Sequence, residues 1–215
     1  MHHFFQQLVI NLQQTSLLEF IGVIAGIASV WFSRKENILV YPVGLINTII
    51  FVYISLEGSL YGEASVNLYY TVMSIYGWIL WSRKNDKKEI VLQVTYSNKK
   101  EWLQQLLFFA AFYIAIFYSL TYLKNIFYSN TVPLADAFAS ATAYTGMWLM
   151  AKKKVESWIW WIATNVASIP LYYIKGYAFT SVQYIILLVM AIAGWITWRQ
   201  KAKQHKAEEI VYARD

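Results

Sequence analysis

The chain has 215 residues, of which 58% are hydrophobic, 18% aromatic and 14% charged, with a formal net charge of +6. Ordinary soluble domains carry about 25% charged residues, and a globule of this size cannot hide so much apolar surface, so the composition excludes a soluble fold and points to a bilayer as solvent. The absence of cysteine, with histidine confined to His2, His3 and His205, excludes disulfides, zinc–thiolate centres and most histidine-based acid/base chemistry.

Residues 1–16 are polar-mixed and read as an N-terminal periplasmic segment, without the pattern of a cleaved leader. Seven apolar runs of spanning length follow, at about 17–33, 38–56, 61–81, 102–123, 134–151, 155–174 and 177–198. The connections "RKEN", "EGSLYG", "KKK" and "KG" are short, so neighbouring helices are antiparallel. The longer polar loop is 82–101, and 199–215 reads as a polar tail. Basic residues follow the first, third, fifth and seventh spans, and 16 of the 18 lie on that side, with only Lys124 and Lys175 opposite. The positive-inside rule then predicts an outside N-terminus and a cytoplasmic C-terminus. The basic loops are topology signals, so no nucleic-acid partner is expected.

The third span ends "YGWILWSRK" and the seventh "AGWITWRQK". A shift of 117 residues lays Trp31 on Trp148, Lys35 on Lys152, Val72–Met73 on Val189–Met190, Gly77–Trp78 on Gly194–Trp195 and Trp81 on Trp198. The predicted fold class is all-α integral membrane: two parallel three-helix repeats, 17–81 and 134–198, joined by a linker helix at 102–123. The linker restores the sense of the second repeat, an arrangement known among transporters whose site lies between repeats at mid-membrane.

No span carries a charge at its centre. Asp136, near an outer helix end, is either a cap or part of an acidic mouth. Mid-span polarity rests on amides: Asn47, Asn67, Asn165 and Gln183. Each is as well suited to bonding a neighbouring helix as to touching a substrate. Asn47 and Asn165 fall at near-equivalent points of the two repeats, as do Asn67 and Gln183. Trp161 and Asn165 are four residues apart, hence on one helix face. An indole stacks on a flat aromatic solute and attracts cations, and an amide beside it bonds hydroxyls. Trp78, Trp81, Trp158, Trp160, Trp195 and Trp198 read as interfacial anchors. Pro42 and Pro170 are expected to interrupt spans 2 and 6.

The stretches "YPVGLINTIIFVYISLEGSLYGE", "GWILW", "GWITW" and "ESWIWWIATN" resemble the Pnu family of bacterial vitamin-precursor transporters, above all its nicotinamide riboside branch. The resemblance covers about residues 17–200. It implies a 3+1+3 fold like a full-length version of the SWEET sugar transporters, assembled as a homotrimer in the bacterial inner membrane. It implies facilitated diffusion of nicotinamide riboside, functionally coupled to a cytosolic kinase whose phosphorylation traps the product for NAD synthesis, with no cofactor and no metal. Carried over to this chain, Trp161 stacks on the nicotinamide ring and Asn165 bonds the substrate. Asn47, Asn67 and Gln183 are further polar contacts, and Tyr113 of the linker joins them by its depth. Nicotinamide riboside is a pyridinium cation bearing a hydroxyl-rich ribose, which suits an aromatic platform with amides and no fixed cation. Thiamine, another aromatic cation carried within the family, fits the same pair. A SWEET-like sugar facilitator has less use for a cation platform, and a membrane enzyme would need catalytic groups that an interior without His or Cys does not offer.

Overall fold

The computed structural model describes residues 16–57, 61–85, 91–127 and 132–212, so the segment 1–15 lies outside the described residues. Among the described residues there are seven helices: α1 (Leu17–Arg34), α2 (Val40–Glu57), α3 (Tyr61–Trp81), α4 (Lys99–Phe127), α5 (Pro133–Ala151), α6 (Ser157–Ile174) and α7 (Ala178–Tyr212). The stretch after residue 198, expected as a tail, instead continues α7 to Tyr212. Its run of Lys, Gln, Ala and Glu favours helix once a helix is already nucleated behind it.

Local chemistry sets the helix ends. Ser16 caps α1 by accepting the Glu19 N–H at 3.1 Å. α1 ends with Glu36 N–H donating to Ser33 O at 3.0 Å and Asn37 N–H to Phe32 O at 2.9 Å. α5 ends in the same way, with Lys153 N–H on Met150 O and Lys154 N–H on Leu149 O, both at 3.0 Å. These are Schellman closures. Their left-handed residues are Glu36, φ 55°, and Lys153, φ 52°, one 117 residues after the other. α6 closes likewise through Gly176 at φ 84°, the residue that adopts this conformation at least cost. Pro133 begins α5, where a missing N–H costs nothing. Pro42 is the third residue of α2 and so falls in its first turn rather than interrupting the span. Pro170 does lie inside α6.

Among the described residues four helices are long and apolar enough to cross a membrane: α1, α2, α4 over Lys99–Tyr122 and α7 over Ala178–Ala207. Large apolar side chains such as Leu17, Leu103, Leu107 and Val189 stand exposed on them, as lipid-facing surface must. α5 lies deepest, its small residues Ala137, Ala141, Thr142, Ala143 and Gly146 all buried. Within 17–81, α1 packs on α2 and α2 on α3; within 134–198, α5 packs on α6 and α6 on α7. α4 lies against α5, and the two triplets meet where α3 touches α5 and α7 touches α1.

The core sits at the basic end. Tyr41, Trp81, Val94, Met150, Trp158 and Trp198 form one buried cluster there. Trp81, Trp158 and Trp198 are therefore core residues, not interfacial anchors. Trp81 Nε1 donates to Ala151 O at 3.2 Å and Trp198 Nε1 to Ser33 O at 3.1 Å, across the two triplets. Such contacts are invisible to a reading that takes each span alone. Three contacts join residues 117 apart: Ser33 Oγ to Met150 Sδ at 2.8 Å, Lys153 Nζ to Glu36 at 3.3 Å, and the rings of Trp81 and Trp198 at 6.1 Å. Lys201 also pairs with Glu36, at 2.7 Å. Burial pushes the Lys153 ammonium below the usual lysine range, against the opposing pull of Glu36.

Candidate substrate site

The site grows from one stripe of α6. Trp161, Asn165, Ser168 and Tyr172 are spaced four, three and four residues apart, so they line one helix face. The indole of Trp161 lies flat against Gly146 of α5. A Cβ there would stand 3.2 Å from Cε2 and 3.3 Å from Cδ2 and Nε1, so only glycine leaves the ring this close to the backbone. Tyr70 of α3 faces the indole with ring centroids 6.1 Å apart and planes at 51°.

Further tyrosines close round this pair. Tyr144 of α5 meets Tyr70 edge-on at 6.3 Å and Tyr69 at 4.3 Å. Tyr69 Oη donates to Tyr144 O at 3.0 Å, tying α3 to α5. On α7, Tyr184 stacks on Tyr172 at 5.2 Å, with the hydroxyls of Tyr172 and Ser168 near its own. Tyr70 and Tyr184 are surrounded by protein atoms yet keep accessible surface. These tyrosines escape a search for mid-span amides. The signal that could have found Ser168 and Tyr172 is the continuation of the Trp161–Asn165 stripe by two further turns.

The sequence-predicted residues do not all converge. Asn165 is 3% exposed, and among the described residues its amide makes no hydrogen bond. Among the described residues the buried side-chain polar atoms left without a partner are those of Tyr41, Ser157 and Trp158, so the Asn165 amide keeps some accessible surface, and it stands one turn from Trp161. Asn67 lies three residues from Tyr70 on α3, and its amide donates to Glu63 O of its own helix at 3.0 Å. Gln183 is half-buried and bonds no described residue. It stands about 100° round α7 from Tyr184, so the stacked tyrosine, not the amide, meets α6. Asn47 is turned to α1, where it donates to Gly22 O at 2.8 Å and packs on Gly26. Tyr113 lies in an aromatic column along α4, stacked on Phe109 at 5.8 Å and Phe117 at 6.3 Å.

At the end of the bundle away from the basic cluster, Asp136 does two jobs. Its Oδ2 accepts the Val132 N–H at 2.8 Å, and its Oδ1 pairs with Lys175 at 2.5 Å. Lys175 also stands 5.8 Å over the Tyr172 ring. Glu63, exposed at the start of α3, is close enough to act electrostatically on Tyr172 and Tyr184.

The apolar helices are those of a multi-pass membrane protein, with aromatic rings and hydroxyls gathered where α3, α5, α6 and α7 meet. Residues 16–200 match the model of the family described as nicotinamide mononucleotide transporter, and the chain belongs to that family. It is 26% identical to the "Nicotinamide riboside transporter PnuC" of Escherichia coli (strain K12), over 91% of this chain and 90% of that protein. It is 21% identical to the "Riboflavin/roseoflavin transporter RibM" of Streptomyces davaonensis, over 86% of each. Among solved structures, the "Crystal structure of the Vitamin B3 transporter PnuC" superposes with a TM-score of 0.70 at 22% identity, covering 94% of this chain and 89% of that one. The family and its relatives are transporters, so the chain is a transporter and not an enzyme, and within the family it is most like PnuC.

Proposed function

We propose that the chain is a uniporter that takes nicotinamide riboside into the cell across the bacterial inner membrane, with Trp161 as platform for the pyridinium ring. The observation that carries the reading is Trp161 lying flat on Gly146 with the unbonded amide of Asn165 one turn away. The indole offers its face to a flat cation, the amide offers donor and acceptor to hydroxyl or carboxamide, and the hydroxyls of Tyr184, Tyr172 and Ser168 extend the polar stripe for a ribose. Relatives named for nicotinamide riboside support this substrate over others. The riboflavin relative is consistent with a site built for a flat aromatic group.

The mechanism proposed is alternating access between two parallel three-helix repeats, α1–α3 and α5–α7, with α4 as linker. Matched Schellman closures at Glu36 and Lys153 support it. So do matched ring-on-glycine contacts, Tyr41 on Gly77 and Trp158 on Gly194. Residues that touch their own counterparts lie on the axis relating the repeats, and Ser33–Met150, Glu36–Lys153 and Trp81–Trp198 are such pairs. All three sit at the basic end, assigned to the cytoplasm by its cations, with the C-terminus inside and the N-terminus outside. They close that end, and release inward requires them to part. Inward flux is then driven by cytosolic phosphorylation of the product, and the functional unit is a homotrimer.

The test is a titration of the detergent-purified chain, following intrinsic tryptophan fluorescence, with nicotinamide riboside and thiamine in parallel. Saturable quenching by nicotinamide riboside and not by thiamine is expected. Trp161→Ala should weaken it about ten- to thirty-fold, the value of a 1–2 kcal/mol aromatic–cation contact. Quenching by thiamine alone would overturn the substrate. Wild-type affinity in Trp161→Ala would overturn the site.

A further inference from the structure

A second polar–aromatic feature lies at the basic end, far from the tyrosines. A groove of about 580 Å³ opens between the loop before α4, the start of α6 and the extended part of α7. One wall is cationic. Arg199, Lys203 and Lys206 are spaced four and three residues apart, hence on one face of α7, and all three line the groove. Among the described residues none of them makes an ion pair, although Lys201 between them is held by Glu36. The other wall is apolar, formed by Trp102, Ile159 and Trp195.

The groove is preformed. Thr95 N–H donates to Lys153 O at 3.2 Å and Thr95 O accepts the Val155 N–H at 3.1 Å, pinning the loop to the start of α6. Tyr96 Oη donates to Arg199 O at 3.3 Å, pinning it to α7. Glu156, the acid in the wall, has its carboxylate occupied by Ser97, through N–H at 3.0 and 3.1 Å and Oγ at 2.8 Å. Fully buried Gln105 donates to Ser97 Oγ at 2.7 Å and accepts Trp160 Nε1 at 3.2 Å, which locks α4 to α6. The groove thus holds three cations against one acid, whose carboxylate is held by Ser97.

We propose that this groove binds an anionic phospholipid of the surrounding leaflet, its phosphate on Arg199, Lys203 and Lys206 and its acyl chain along Trp102, Ile159 and Trp195. The lining favours a lipid over a free phosphate. Ile159 belongs both to the groove and to the exposed apolar surface, at 42% exposure, and Leu103 beside Trp102 is 58% exposed. The apolar wall is therefore continuous with the lipid-facing side of the bundle, which a soluble anion does not use. Basic pockets between spanning helices are a recurrent mode of anionic-headgroup recognition.

The experiment is native mass spectrometry of the purified full chain, with phosphatidylglycerol and phosphatidylcholine titrated in parallel and inorganic phosphate as competitor. Phosphatidylglycerol should be retained in preference to phosphatidylcholine. Each cation contributes about five-fold, so R199Q/K203Q/K206Q should lose roughly a hundred-fold in phosphatidylglycerol affinity. The charge-matched R83Q/K99Q/K100Q, outside the groove, should keep it. Should the triple variant fail to fold, Lys203→Gln at an exposed position reads the same site at about five-fold. Equal affinity for the two lipids, an unchanged groove variant, or displacement of the lipid by inorganic phosphate would each overturn the proposal.

Discussion

Gly146→Ala tests the platform without touching the residue that forms it. Carbon contacts are most favourable at about 3.5–4.0 Å, and the new Cβ would stand 3.2 Å from Trp161 Cε2. The indole must therefore retreat by a few tenths of an ångström, toward the space before Tyr70, whose centroid is 6.1 Å away. A displacement of about 0.5 Å forfeits roughly a quarter to a half of a dispersion contact. Applied to a contact of about 2 kcal/mol in a desolvated site, this removes about 0.5–1 kcal/mol, or about two- to five-fold in affinity. Stability should barely move, because replacing a mid-helix glycine by alanine contributes up to about 1 kcal/mol and offsets the strain. Gly194→Ala is the contrasting control. Its Cβ would meet Trp158 Cη2 at 2.5 Å, and Trp158 is 1% exposed with nowhere to go. Overpacking of this kind costs about 1–3 kcal/mol, with affinity unchanged in the folded fraction. Fluorescence titration and thermal unfolding followed by near-UV circular dichroism read the two quantities. Weakened binding in Gly194→Ala at full stability, or wild-type binding in Gly146→Ala, would refute the assignment of the site to the Trp161 side of α5.

Asn47→Ala should lower stability by about 1 kcal/mol and leave the dissociation constant for nicotinamide riboside unchanged, because its amide holds Gly22 O and not the site; a loss of affinity at full stability would return Asn47 to the pathway. Tyr184→Phe removes the hydroxyl that stands near those of Tyr172 and Ser168 and should weaken binding several-fold, about 1 kcal/mol, measured in the same titration. Glu36→Gln strips the partner from Lys153, whose side chain is 4% exposed, and should cost about 3 kcal/mol in thermal unfolding. That cost should shrink in alkali. The folded pKa of Lys153 is lowered by burial from the ordinary 10.5, so between the two values the unfolded chain binds more protons and stability rises with pH. Loss of Glu36 widens that window downward, and a penalty independent of pH would count against a charged, buried Lys153.

The helices were legible because charge breaks and glycine or proline punctuation fall at their ends, as at Arg34–Lys35, Lys152–Lys154 and Gly176. Side-chain direction was harder. Under the 117-residue shift Asn47 lies on Thr164 and Asn165 on Thr48. An offset of one residue turns a helical side chain by about 100°, which is why one amide faces α1 while the other stands beside Trp161. The buried tryptophans were misread for a related reason, since only packing across the triplets distinguishes a core indole from one at the membrane surface. Those same contacts give the proposed repeats their functional meaning. The shift lays Gly44 on Trp161 and Ser29 on Gly146. In the first triplet Gly44 lies against Ser29, at 3.2 Å from an added Cβ to Oγ, where the second packs Trp161 against Gly146. The first triplet has a small residue on both sides of this contact, so the ring-on-glycine packing of Trp161 occurs once. A symmetric frame can rock, but a single flat cation needs one platform, and the sequence carries it where the two halves differ.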